Sequence, residues 1–129
     1  MNCHCCSNKQ FENCCQPIIE GRKPAHTAEE LMRSRYSAYV MADINYLMNS
    51  HHPKTRPVKE RKSILRWTKS VHWMKLEIIN LKAGQADDME GWVKFTAYFN
   101  DNGMMNTIKE NSFFIKENGK WLYLSGELK

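Results

Sequence analysis

GWVKFTAYFNDNGMMNTIKENSFFIKENGKWLYLSG, residues 91–126, decides the fold. Its first ten residues alternate apolar and polar, the period of a half-buried strand. Asn102-Gly103 and Asn118-Gly119 are hairpin dipeptides, because both central positions of a two-residue turn take positive φ. Strands are therefore predicted at about 91–100, 104–116 and 120–126. Registry follows from the turns. With Asn102-Gly103 as a two-residue turn, Ala97 faces Ile108, Phe95 faces Glu110 and Val93 faces Ser112. Directly opposed residues share a face of the sheet. Val93, Phe95, Ala97 and Phe99 read as the inner face, so Ile108, Glu110, Ser112 and Phe114 join them. The same rule at Asn118-Gly119 adds Trp121, Tyr123 and Ser125. A one-residue bulge would reverse any of these assignments.

Upstream, HWMKLEIINLKA (72–83) is rich in strand formers but alternates irregularly, and reads as a further strand. Before it the period is helical. Thr27 followed by Glu30 is a capping box that opens a helix running to about Met41. Asp43 caps a short helix at 44–49, and Pro57 suits the first turn of a third helix at about 57–70, with Ile64, Leu65 and Trp67 on its apolar stripe. Residues 17–26 hold two prolines and a glycine and read as a linker. Helices first and then an antiparallel meander give an α+β fold, with helices packed on one face of a curved sheet.

Bulk properties agree. A chain of 129 residues is one domain with room for a small appendage. Hydrophobic content of 42% and charged content of 26% fit a soluble globular protein. No stretch approaches the roughly 20 apolar residues of a membrane helix, so no membrane insertion is expected. The N-terminus lacks a basic segment followed by an apolar run, and a cytoplasmic location is expected.

In that compartment thiols stay reduced. All five cysteines lie in MNCHCCSNKQFENCC, residues 1–15. Cys3 and Cys5 form one close pair, and after eight intervening residues Cys14 and Cys15 form another. Two such pairs joined by a short loop can bring four thiolates to the corners of a tetrahedron, which suits one structural zinc ion better than an iron–sulfur cluster. With Cys3, Cys5, Cys14 and Cys15 as ligands no position is open for water, so the site is structural and not catalytic. Cys6 is left as an alternate ligand or a free thiol.

On the first helix, Leu31, Met32, Tyr36, Ala38, Tyr39 and Val40 form one apolar face, with Ser34 and Ser37 opposite. Arg35 falls inside the apolar arc and needs neutralising. Glu110 points into the same interior and is its expected partner. Arg35–Glu110 is then a buried ion pair that fixes helix-to-sheet registry. Alternatively Arg35, Tyr39, His52, Glu110, Ser112 and Tyr123 line a pocket for a small ligand or a reaction. No nucleophile–base signature, glycine-rich phosphate loop or HExxH accompanies them, which disfavours an enzyme.

Two surfaces suggest partners. Residues 54–75 carry Lys54, Arg56, Lys59, Arg61, Lys62, Arg66, Lys69 and Lys75 against Glu60 alone, a patch suited to RNA phosphates or to solvation. The outer sheet face carries Trp92, Tyr98, Phe113, Ile115, Leu122 and Leu124, which the zinc knuckle or a second copy in a homodimer would cover.

CHCCSNKQFENCC (3–15) resembles the SEC-C motif, a zinc module best known at the C-terminus of the SecA translocation ATPase. Cys3, Cys5, Ser7, Lys9, Phe11, Cys14 and Cys15 match it; Cys6 and Asn8 stand where that family usually has glycine, which implies positive φ there. LMRSRYSAYVMADINYL (31–47), His52-Pro53 and ENSFFIKENGKWLYLSG (110–126) are similar to the YchJ-type family. That resemblance implies a SEC-C knuckle at 1–16, a linker at 17–26 and a cone-shaped nuclear transport factor 2-like (cystatin-like) domain at 27–129. It carries over no activity. For the knuckle it implies a protein or ribosome-associated partner, so the expected function is a non-enzymatic zinc-binding interaction module, with the pocket binder or pocket enzyme as the alternative.

Overall fold

The computed structural model describes residues 1–128; Lys129, the last residue assigned to the domain, lies outside the described residues. Four helices precede four strands: α1 Cys15–Ile19, α2 Ala28–Met41, α3 Ile44–Asn49 and α4 Arg61–Ser70, then β1 His72–Ala83, β2 Glu90–Asp101, β3 Met104–Glu117 and β4 Lys120–Leu128. The sheet is an antiparallel meander in the order β1-β2-β3-β4, and α2 packs against β1, β2 and β4. This is the α+β architecture expected from the sequence.

Local chemistry sets the element ends. The Thr27 side chain accepts the Glu30 N–H at 3.1 Å, and Glu30 Oε1 in return accepts the His26 N–H at 3.0 Å. Ala42, at φ 56°, closes α2 in the left-handed conformation. Asp43 then caps α3 by accepting the Tyr46 N–H at 3.1 Å. The third predicted helix is split: a 3₁₀ turn at Val58–Glu60 leads into α4. The segment read as a linker is also more structured than expected. Pro17 and Ile18 are buried within α1, and Ala25 reaches the core. A proline in the first turn does not oppose a helix, because its missing N–H would have no partner there.

Both Asn-Gly turns form with positive φ at each central residue, 53° and 87° at Asn102-Gly103, 54° and 75° at Asn118-Gly119. β2 and β3 therefore pair in the predicted register, with Ala97 on Ile108, Phe95 on Glu110 and Val93 on Ser112. The β3–β4 register holds only as far as Phe114 on Tyr123. A bulge at Leu124 then shifts the strand by one residue, so Ser125 pairs with Phe113 and is exposed. Gly126 takes the inner position opposite Ser112. Two similar irregularities in β1, at Met74 and Ile79, account for its uneven alternation.

The larger cluster of buried residues runs from Cys3, Cys5 and Cys15 through Leu31 and Met32 to Val93, Phe114 and Trp121, and a second gathers Ala38, Ile44, Leu47 and Met48. The cysteine-rich segment is thus part of the domain core. No described helix is long and apolar enough to cross a membrane.

Candidate functional site

Cys3, Cys5, Cys14 and Cys15 converge: their four sulfurs all lie within 4.8 Å of one another. Cys5 Sγ is 3.6 Å from Cys14 Sγ, which is 3.9 Å from Cys15 Sγ. A tetrahedral ion with metal–sulfur bonds of about 2.3 Å needs sulfur–sulfur edges of about 3.8 Å. The donor set fits such an ion in both chemistry and size. Cys6 is exposed and stands outside the quartet. It and Asn8 adopt φ of 64° and 69°, so the two departures from glycine keep the backbone glycine would favour.

The quartet is supported from outside. Ser7 Oγ lies 3.2 Å from Cys14 Sγ and Ser37 Oγ lies 3.5 Å from Cys3 Sγ. Arg33, held by Glu29 at 2.9 Å, donates to the Cys5 carbonyl at 2.6 Å. Such outer contacts orient ligands and offset thiolate charge. Within the cluster, hydrogen bonds from Cys15 and Cys5 push the Cys3 thiol down, while the same sharing with Cys3 and Cys5 pushes Cys15 up. Burial pushes Cys14 up, against the lowering by Ser7. Ser37 and Arg33 were not recognisable as supports in the sequence. Ser34 and Ser37 read as lying opposite the apolar face, yet both are 0% exposed. The knuckle covers Ser37, and the Tyr46 hydroxyl meets Ser34 at 2.6 Å.

The other side of α2 borders a cavity of about 190 Å³. Of the residues predicted there, Arg35, Tyr39, Glu110, Ser112 and Tyr123 all line it. His52 does not. Residues 50–52 run beside Tyr123 as a short parallel bridge, His52 N–H donating to the Tyr123 carbonyl at 2.8 Å. Side chains alternate along extended backbone, so His51 meets the Tyr123 ring at 4.8 Å and lines the cavity in place of His52. His52 instead accepts the Lys54 N–H at Nδ1, and its Nε2 lies 2.9 Å from Glu117. That leaves the neutral ring with its proton on Nε2, a structural role.

The predicted Arg35–Glu110 pair does not form. Arg35 Nη1 donates to the Leu47 carbonyl at 2.9 Å and to Ser50 Oγ at 2.7 Å. The last carbonyls of a helix lack internal partners, and α3 presents one where the guanidinium arrives. The Arg35 Cζ also sits 4.7 Å from the centroid of the Tyr123 ring. The Tyr123 hydroxyl donates to Glu110 Oε2 at 3.1 Å, and Ser112 donates to the same oxygen. Tyr123 thus stands between the two charges. Burial, reinforced by Glu110, pushes its phenol up and keeps it a donor.

Aromatic rings form much of the remaining wall. Trp73 contacts Tyr36, Tyr39, Trp67 and Phe99 with centroid separations of 5.3–6.0 Å. Its indole N–H is buried and meets no acceptor, and it is the one such side-chain atom among the described residues. Leaving a buried donor unmatched costs about 1–3 kcal/mol.

On the outer sheet face Trp92 stacks obliquely on Phe113 at 4.7 Å, both half-buried, and Leu122 is buried. The knuckle, bound to α2, is on the helical side.

A family model described as "YchJ, middle NTF2-like domain" matches residues 27–126. A UPF0225 protein of Vibrio parahaemolyticus is 38% identical over 125 residues, covering 97% of this chain and 74% of that protein. A UPF0225 protein of Geobacter sulfurreducens is 40% identical over 124 residues, covering 96% and 77%. Among solved structures, a SEC-C motif containing protein from Rhodopseudomonas palustris superposes with a TM-score of 0.89 at 30% identity, covering 98% of each chain. A SEC-C motif containing protein from Psychrobacter arcticus gives 0.80 at 28% identity, covering 95% of this chain and 75% of the other.

Proposed function

Because this chain belongs to the YchJ-type (UPF0225) family, we propose that it is a zinc-binding interaction protein whose metal knuckle serves as a docking element. Cys3, Cys5, Cys14 and Cys15 would hold one Zn²⁺. The observation that carries this reading is the spacing of the four sulfurs, all within 4.8 Å with no fifth ligand among them. A filled tetrathiolate site supplies folding energy and no chemistry. Its formal charge of −2 is offset by the Arg33 contact and by the Ser7 and Ser37 hydroxyls.

The partner is a protein or ribosomal surface. Asn8, Lys9, Gln10 and Glu12 project from the knuckle into solvent, where a partner can reach them. The exposed cations of α4, Arg61, Lys62, Arg66 and Lys69, are a second contact suited to RNA phosphates. A homodimer through the outer sheet face is compatible with both. The reading is of a soluble, cytoplasmic protein without catalytic activity.

Metal analysis of freshly purified, reduced protein tests the first step. One zinc per chain is expected. Brown protein with iron and sulfide, or no stoichiometric metal, overturns it. Co-sedimentation with purified ribosomes tests the second. Retention that falls steeply with salt and weakens in Lys9→Glu or Lys62→Glu supports docking. No retention at low salt removes the ribosome as partner.

A further inference from the structure

The cavity beside α2 has no part in metal docking, and its polar groups are not those of a packing void. Two charged side chains, Arg35 and Glu110, face one space without pairing. Arg35 uses only Nη1 in its hydrogen bonds among the described residues, which leaves Nε and Nη2. Glu110 uses only Oε2 in the same way, which leaves Oε1. The Trp73 ring lines the same space. A purely structural network would close these bonds or replace the groups with apolar ones.

The unmatched groups define a complement. The remaining donors on Arg35 call for an acceptor, and Glu110 Oε1 calls for a donor. Arg35 and Glu110 balance in charge, so a ligand carrying net charge would leave one of them uncompensated. Burial, helped by Arg35, pushes His51 down to about 4, so that it adds no charge at neutral pH. The volume, about 190 Å³, is modestly larger than the roughly 150 Å³ that accepts benzene, so one substituted ring fits. The walls of Tyr39, Trp67 and Trp73 offer aromatic surface to a flat molecule.

We propose that this cavity binds a small, neutral, planar cyclic amide, its carbonyl oxygen facing Arg35 and its N–H facing Glu110. Gly126 is part of the site. A Cβ there would sit 2.1 Å from Glu110 Oε2 and 2.8 Å from the Tyr123 hydroxyl, so only glycine leaves the carboxylate in place.

The test uses the metal-loaded full chain and three probes: uracil, its N,N′-dimethyl derivative, which keeps the carbonyls and loses both donors, and benzene, which has neither. The readout is the indole N–H resonance of Trp73, assigned with Trp73→Phe. Uracil should shift that resonance and bind at least about tenfold more tightly than the dimethyl derivative. Glu110→Gln and Gly126→Ala should each weaken uracil about tenfold and leave benzene unchanged, in proteins whose circular dichroism matches the parent. Equal binding of uracil and its dimethyl derivative, stronger binding of benzene than of uracil, displacement of uracil by the zwitterion glycine, or no response to any probe overturns the proposal.

Discussion

Helix α2 is bordered by two polar sites built on opposite principles. Arg33 and Ser37 project toward the knuckle; Arg35 and Tyr39, two positions away from each and so about 200° round the helix, project toward the cavity. On the first side the contacts close. Sulfur meets sulfur, hydroxyls meet sulfur, and a guanidinium meets the Cys5 carbonyl. On the second side they stay partly open, with an unmatched indole and two charges kept apart by Tyr123. A closed polar cluster is an anchor, while an open one is poised for something that completes it. One helix thus borders a closed polar cluster on one side and an open one on the other.

The largest effect that would sharpen the contrast comes from the closed side. Cys5→Ser should abolish stoichiometric metal and cost several kcal/mol, lowering the melting temperature by roughly 15 °C or more. A small change in melting temperature would mean that the knuckle is an appendage and not part of the core. Arg35→Met comes next. It removes two charge-assisted hydrogen bonds, to the Leu47 carbonyl and to Ser50 Oγ, at a cost of about 3 kcal/mol in denaturant unfolding. An unchanged midpoint would break the comparison from the other direction, by making Arg35 purely a ligand group.

Acid reaches both sites, but His51 reports on the cavity alone. Burial first, then the Arg35 and Arg56 guanidiniums and His52, push it down from 6.5 to about 4. The unfolded chain binds that proton at a pH where the folded protein does not. Stability from this group is therefore full above about pH 6.5 and is lost as pH falls to about 4. His51→Asn should flatten that part of the unfolding-against-pH curve, and parent and variant share whatever the thiolates contribute. The smallest effect belongs to Cys6→Gly. Relieving a left-handed cysteine at φ 64° should raise stability by about 0.5 kcal/mol in chemical denaturation, with metal content unchanged. Loss of metal in that variant would make Cys6 a ligand.

How far each site could be read beforehand differed for physical reasons. The four clustered cysteines were legible because thiol chemistry and spacing are local. Glu110 facing inward was legible because an Asn-Gly turn dictates registry residue by residue. That logic failed at Ser125, where a bulge without its own sequence mark moved the strand on by one. It failed for His51 and His52 because neighbouring residues of one type carry no sign of which faces in. Ser37 was hidden because it looks like a solvent-facing helix residue until something folds over it.

The sequence by itself determined the run of helices and strands, the hairpin turns, the cysteine cluster and the presence of a buried arginine and an inward carboxylate. Each depends on backbone preference, periodicity or donor chemistry within a few residues. Tertiary structure alone decided what those groups meet. Arg35 takes the Leu47 carbonyl and Ser50 because the end of α3 reaches it, and Tyr123 fills the gap to Glu110. Which partners fall within hydrogen-bond reach is set by how distant segments pack, and no local pattern encodes that distance.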